Sequence, residues 1–236
     1  MARIGGRRSF ADRWVRKFFY KYYARNLLYE LQLRARADSA DYVEAQMRDA
    51  MMFADRWELL DYCVSLATPE GLFIESGVGK GDSIRKLAAI IPGEIHGFDT
   101  FTGLPEDWSG TQARRGKFST GGCLPKVPAN VHLHKGLFDE TLPRLLAQTG
   151  DNISFLHVDC DTYNATRSIL SQLKKRIVPG TVIIFDEYFN YPNWRQHEFR
   201  AFQEYVREEK LTYSYLGYAI REGQVAVRIL GFTVGR

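Results

Sequence analysis

The sequence predicts an α/β protein with a mostly parallel sheet covered by helices on both faces. Three observations predict it. From residue 72 onward, short apolar runs alternate with amphipathic stretches of helical length. The early runs close on acidic residues, at Glu75 and Asp99, as strands leading into ligand-binding turns do. The last two runs are separated only by "AIREG", short enough for a hairpin, so one strand is expected to run antiparallel.

The chain begins with a different character. Residues 1–37 hold ten Lys or Arg against two acids, a balance of +8, whereas the remainder balances at −4. The basic character therefore belongs to one segment, and the body of the chain gives no reason to expect nucleic acid. Phe10, Trp14, Phe18 and Tyr22 recur every four residues, with Val15, Phe19, Tyr23 and Leu27 beside them and basic residues opposite. This predicts a helix that packs on its own domain, covers a site or joins a partner subunit. Peripheral contact of residues 7–36 with an anionic membrane is the alternative. A second helical stretch is expected over 41–66, so that residues 1–66 form an N-terminal helical segment and 67–236 the main domain.

Within that domain the strands are read near 72–76, 94–99, 131–136, 153–160, 181–188, 211–218 and 224–230. Helices are expected over 82–91, 139–148, 164–176 and 195–209. At 236 residues, with 45% hydrophobic and 25% charged residues, the composition is that of an ordinary globular protein. No run approaches the roughly 20 apolar residues of a membrane span. Three scattered cysteines and the absence of a signal-peptide pattern lead us to expect a cytoplasmic protein.

The turn "FIESGVGKGDS" (73–83) narrows the ligand. A Walker A loop fails, because Gly81 follows Gly79-Lys80 and Ile74 stands where the first glycine belongs. The dinucleotide spacing G-x-G-x-x-G misses by one residue. Glu75 followed by Gly77-x-Gly79-x-Gly81 instead resembles the first motif of class I S-adenosylmethionine-dependent methyltransferases. Glycines admit close backbone approach. Glu75 offers a negative charge for an amino acid tail, and Asp99 a carboxylate for two ribose hydroxyls.

Farther on, "FLHVDCDTY" ends one strand with Asp159 and Asp161, and "VIIFDEY" ends the next with Asp186 and Glu187. If these ends adjoin, the carboxylates crowd one another. At an effective dielectric of about 20, two like charges ~4 Å apart repel by roughly 4 kcal/mol. Such a group takes up protons or binds a cation, and an all-oxygen set favours Mg²⁺. Helix capping by Asp161 or Asp186 is the structural alternative. His132, His134 and His157 read as structural histidines. His197 is a candidate acceptor-pocket residue or alternative base, and Tyr188, Tyr191 and Trp194 form either a sugar-stacking wall or a packed loop.

"GFDTFTGLPEDW", "GLFDETLP", "LHVDCDTY" and "PGTVIIFDEY", in this order, resemble the macrocin O-methyltransferase family from about residue 70 to the C-terminus. The resemblance implies a class I methyltransferase (Rossmann-like) sheet of seven strands in the order 3-2-1-4-5-7-6. It also implies S-adenosylmethionine and Mg²⁺ as cofactors, a sugar or polyol hydroxyl as acceptor, and a homodimer or larger homo-oligomer. Carried over by motif, Glu75, Gly77, Gly79, Gly81, Ser83, Asp99 and Gly136 would bind the cofactor. Asp159, Asp186 and Glu187 would hold the metal, and Asp161 would be the general base. Where the family usually has two aspartates, this chain has Asp186-Glu187.

Overall fold

The computed structural model describes residues 10–91 and 93–233, with the side chains of 10–12 left aside. In chain order the elements are α1 (Phe10–Phe19), a π-helical turn (Tyr20–Ala24), α2 (Leu27–Gln46), β1 (Met51–Phe53) and α3 (Arg56–Leu66). The alternating region follows as β2 (Leu72–Ser76), α4 (Asp82–Ile90), β3 (Ile95–Asp99), β4 (Val131–Lys135), α5 (Phe138–Leu146), β5 (Ile153–Val158) and α6 (Tyr163–Leu173). Then come β6 (Val182–Phe185), a 3₁₀ turn (Trp194–Gln196), α7 (Glu198–Glu208), β7 (Leu211–Ala219) and β8 (Val225–Phe232).

One eight-stranded sheet runs β1-β7-β8-β6-β5-β2-β3-β4. Read from β4, its first seven strands reproduce the expected 3-2-1-4-5-7-6 order, with β8 antiparallel to both β6 and β7. The expectation of seven strands is corrected by β1, which pairs parallel to β7 at the sheet edge, Met51 opposite Gly217. That extra strand also breaks the helix expected over 41–66. No glycine or proline marks the break; the open edge of β7 supplies partners, and Asp55 caps α3 by accepting from the amides of Trp57 and Glu58.

Both sheet faces are buried, which explains the continuous rather than alternating apolar runs. Ile74, Leu156, Val158, Ile183 and Phe185 pack under α2, α5, α6 and α7. Phe73, Phe155, Val182 and Ile184 pack under α3 and α4, where Leu59, Leu60 and Cys63 are fully buried. α2 is tied to the body by polar contacts: the Tyr42 hydroxyl lies 2.6 Å from that of Tyr215, and the Arg195 guanidinium donates twice to Asp38. The connection from β3 to β4, residues 100–130, carries no helix and folds by turns around buried Phe101, Leu104 and Trp108.

The basic amphipathic stripe does not pack on the chain's own domain. Trp14, Val15 and Phe19 are 60–64% exposed, and the side chains from Arg13 to Glu30 all face outward. Among the described residues, no helix is long and apolar enough to cross a membrane.

Because Leu59 is fully buried on α3 whereas Met52 on β1 is 67% exposed, their truncations separate core from edge. Leu59→Ala is expected to cost about 2–5 kcal/mol of unfolding free energy in urea denaturation, and Met52→Ala close to nothing. Equal losses would contradict the packing of α3.

Candidate active site

Three adjacent parallel strands, β2, β5 and β6, end side by side. In the ladder His157 pairs with Glu75 and Val158 with Phe185, so the residues that follow the strands, Asp159 and Asp186, emerge next to each other. The Asp159 amide donates to the Ser76 carbonyl and the Asp186 amide to the Val158 carbonyl, continuing the ladder one step beyond the strands. Two sets of potential ligand atoms lie within 4.8 Å of one another: Asp159, Asp161 and Glu187, and His157, Asp159 and Asp186. The three residues expected as metal ligands thus fall into two overlapping groups that share Asp159. Glu198, at the start of α7, is fully buried beside them and accepts from the Glu187 amide at 3.0 Å.

This crowding is electrostatically expensive. Burial, then the charge of Asp186, pushes the Asp159 and Glu187 carboxyls well above the ordinary range; burial, then Asp161, does the same to Glu198. Burial and Asp186 lift Asp161 to about 7. Asp186 is the exception. Burial would raise it, but His157, Arg56 and Gln224 outweigh that and hold it below the usual value. Arg56 Nη1 lies 3.3 Å from Asp186 Oδ2, its guanidinium stacked on Trp57, and Gln224 Nε2 donates to Asp186 Oδ1 at 3.0 Å.

His157 sits between two carboxylates, Nδ1 3.5 Å from Glu75 Oε2 and Nε2 3.7 Å from Asp186 Oδ1. Burial would lower its pKa, yet Asp186 and Glu75 outweigh that and raise it well above the ordinary value. The sequence showed no partner for this histidine; the strand register provides two. Glu187 Oε2 and Glu198 Oε1 are buried and have no hydrogen-bond partner among the described residues. Oxygen donors left unpaired among raised carboxyls suit a hard cation.

The glycine turn has a split role. A Cβ at Gly77 (φ +96) would lie 1.5 Å from the Asp159 carbonyl oxygen, so this glycine lets β5 pass and thereby places the acidic cluster. Gly79 (φ +52) faces open space, with its amide donating to Asp99 Oδ2 at 2.7 Å. The other Asp99 oxygen accepts from the Phe101 amide. Gly81 begins α4 in a left-handed conformation, Ser83 donates to Glu75 Oε1 at 2.7 Å, and the Gly136 amide donates to the Asp99 carbonyl. The expected cofactor residues thus include two hydrogen-bonded groups flanking Gly79, Ser83 with Glu75 and Gly136 with Asp99.

Asp161 does not cap α6; Thr162 does, accepting from the Ala165 amide. Asp161 instead adopts φ +64 and keeps its carboxylate in the cluster. His197 lies in the chain turn before α7, where Nε2 donates to the Ser109 carbonyl at 2.8 Å, and burial lowers its pKa. It thereby ties the 100–130 connection to α7. Tyr188 and Trp194 are core residues, 0% and 2% exposed, so the proposed aromatic wall is revised. Half-buried Tyr191 remains, edge-on to Trp108 at 5.5 Å and stacked near His197 at 6.3 Å. Trp108 Nε1, the Tyr191 hydroxyl and His197 Nδ1 all lack partners among the described residues. The sequence reading missed Arg56, Glu198, Gln224 and Trp108; of these, only Trp108 lay inside a motif already singled out.

Residues 74–188 match a family model described as "Methyltransferase domain". An 8-demethyl-8-(2,3-dimethoxy-alpha-L-rhamnosyl)-tetracenomycin-C 4'-O-methyltransferase from Streptomyces olivaceus is 28% identical over 166 residues, 58% of this chain and 62% of that protein. The chain thus matches less than two thirds of that relative's length. Among solved structures, the calicheamicin methyltransferase CalS11 superposes with a TM-score of 0.57 at 22% identity, covering 94% of both chains. The O-methyltransferase NovP gives 0.58 at 19% identity, over 74% of this chain and 79% of that one. These likenesses agree with the family resemblance read from the motifs and with a class I methyltransferase fold.

A carboxyl raised to about 7 keeps a proton in the folded chain that the unfolded chain releases near its ordinary value. Stability should therefore fall as pH rises from about 4 through 7. In chelator, the melting temperature of the wild type is expected to be lower at pH 8 than at pH 6. Asp161→Asn should narrow that gap; an unchanged gap would place Asp161 outside the coupled cluster.

Proposed function

We propose that this chain, built on a methyltransferase fold, is an S-adenosylmethionine-dependent O-methyltransferase that uses a divalent cation to methylate a hydroxyl of a sugar or glycosylated small molecule. The observation that carries the reading is the carboxylate cluster of Asp159, Asp161 and Glu187 beside the glycine turn at the ends of neighbouring strands. The tetracenomycin-sugar 4'-O-methyltransferase supports the acceptor class.

The site's chemistry fits both groups. The Gly79 opening, Glu75 with Ser83 behind it, and Asp99 suit a donor with a charged amino acid end and a ribose. Asp159 and Glu187, with Asp186 adjoining, suit Mg²⁺; the longer Glu187 side chain, unpaired at Oε2, is a further oxygen donor. When bound, S-adenosylmethionine supplies an electrophilic methyl carbon and the cation supplies a Lewis acid that lowers the pKa of a neighbouring hydroxyl. Asp161 then accepts the acceptor hydroxyl's proton on its carboxylate, a role matched to a pKa of about 7. Arg56 and His157 fix Asp186 in its ionised form and orient it. Half-buried Tyr191, edge-on to buried Trp108, is the aromatic ring left to meet the acceptor.

Donor binding is tested by thermal shift. At 100 times its Kd, S-adenosylmethionine should add about 2.7 kcal/mol of stability. Mg²⁺ should raise the melting temperature of the wild type but not of Asp159→Asn. No response to millimolar S-adenosylmethionine would overturn the proposal, whereas activity indifferent to EDTA would remove the cation alone. For the acceptor contact, Tyr191→Ala is expected to raise KM for the sugar roughly tenfold with a smaller change in kcat, the equivalent of about 1.4 kcal/mol of lost binding. An unchanged KM would place the acceptor elsewhere.

A further inference from the structure

The segment from α1 to the start of α2 carries an apolar face with no partner among the described residues, and its charge identifies what covers it. We propose that residues 10–31 dock the protein onto an anionic lipid surface, lying in the plane of the membrane interface. The inference is independent of the chemistry at the carboxylate cluster.

On one side of the segment Trp14, Val15, Phe18 and Phe19 are 46–64% exposed, and Leu27 beyond the π turn is 76% exposed. Across residues 10–25 stand five cations, Arg13, Arg16, Lys17, Lys21 and Arg25, against the single acid Asp12. Lys21 and Arg25 lie 5.1 and 5.7 Å from the ring centres of Tyr22 and Tyr20, so cations and aromatics share the same border. Where the π turn meets α2, an open cavity of about 420 Å³ is lined by apolar Phe19, Tyr23, Leu27 and Tyr29, with one cation, Arg25, and one acid, Glu30, at its border.

A second copy of the chain fits this surface less well. Symmetric pairing of the face with itself would bring five cations on each side toward their own kind. A lipid surface satisfies both halves at once: anionic headgroups meet the cations, and Trp and Tyr take the interfacial depth they favour. No described helix can span the bilayer, which leaves the in-plane arrangement. The segment is also anchored. Just beyond it, Gln32 Nε2 donates to the Asn190 carbonyl at 2.6 Å, so docking would hold the loop that follows β6 on the membrane-facing side of the molecule.

Co-sedimentation of the full chain with vesicles tests the proposal. Phosphatidylcholine vesicles containing phosphatidylglycerol should bind at least ~tenfold more protein than phosphatidylcholine alone, and high salt should abolish the difference. Brominated lipid should quench tryptophan fluorescence in the wild type and not in Trp14→Phe. Phe18→Ser/Phe19→Ser and Arg16→Glu/Lys17→Glu should each lose binding while keeping the wild-type melting temperature, since these side chains are exposed. Wild-type protein that stays in the supernatant overturns the proposal, as does equal binding to neutral vesicles. A dimer that those same variants dissociate, without vesicle binding, also overturns it and assigns the face to a second copy.

Discussion

Like charge held at neighbouring strand ends is the constraint on which this molecule turns. The parallel register of β2, β5 and β6 forces Glu75, Asp159 and Asp186 into one small volume, and the loops that follow add Asp161 and Glu187. Such a cluster persists only where the surrounding fold contributes opposing charge. Arg56 and His157 provide it on the Asp186 side. The opposite side, toward Glu187 and Glu198, is left with unpaired oxygens. That asymmetry separates a structural half, where charges are neutralised, from a half with coordination capacity to spare.

The backbone allows the cluster through a single absent side chain. Gly77 is where the β2 turn and the backbone of Asp159 nearly touch, so the glycine motif serves the acidic site as much as any donor. Gly79, two residues on, is the position that faces open space. A motif that looks like one binding loop therefore performs two tasks: close packing at its first glycine and access at its second. Asp99 fixes the second of these, since its carboxylate holds the Gly79 amide on one oxygen and the Phe101 amide on the other.

The N-terminal part divides in the same manner between packing and exposure. α2 buries Ala35 and Ser39 and reaches Tyr215 through Tyr42; α3 places Leu59 in the core and Arg56 in the site. Thus a residue far ahead of the methyltransferase-like motifs completes the electrostatics of those motifs. The stretch from α1 into the first turns of α2 keeps its apolar face in solvent.

Periodicity and motif alone determined the strand succession from β2 to β8, the antiparallel β8, the glycine turn and the acidic strand ends. Each depends on residues close in sequence, where apolar runs and turn residues report local structure directly. Edge strand β1 was hidden, because three residues pairing with β7 leave no periodic trace. Arg56, Glu198 and Gln224 were hidden because their roles depend on contacts with residues up to 130 positions away. Helix capping stood as the alternative for Asp161 until Thr162 took that bond, and His157 looked structural until the register set it between Glu75 and Asp186. Local pattern determined which carboxylates reach the strand ends; the tertiary fold decided which of them meet opposing charge and which do not, because burial and opposing charge act through space rather than along the chain.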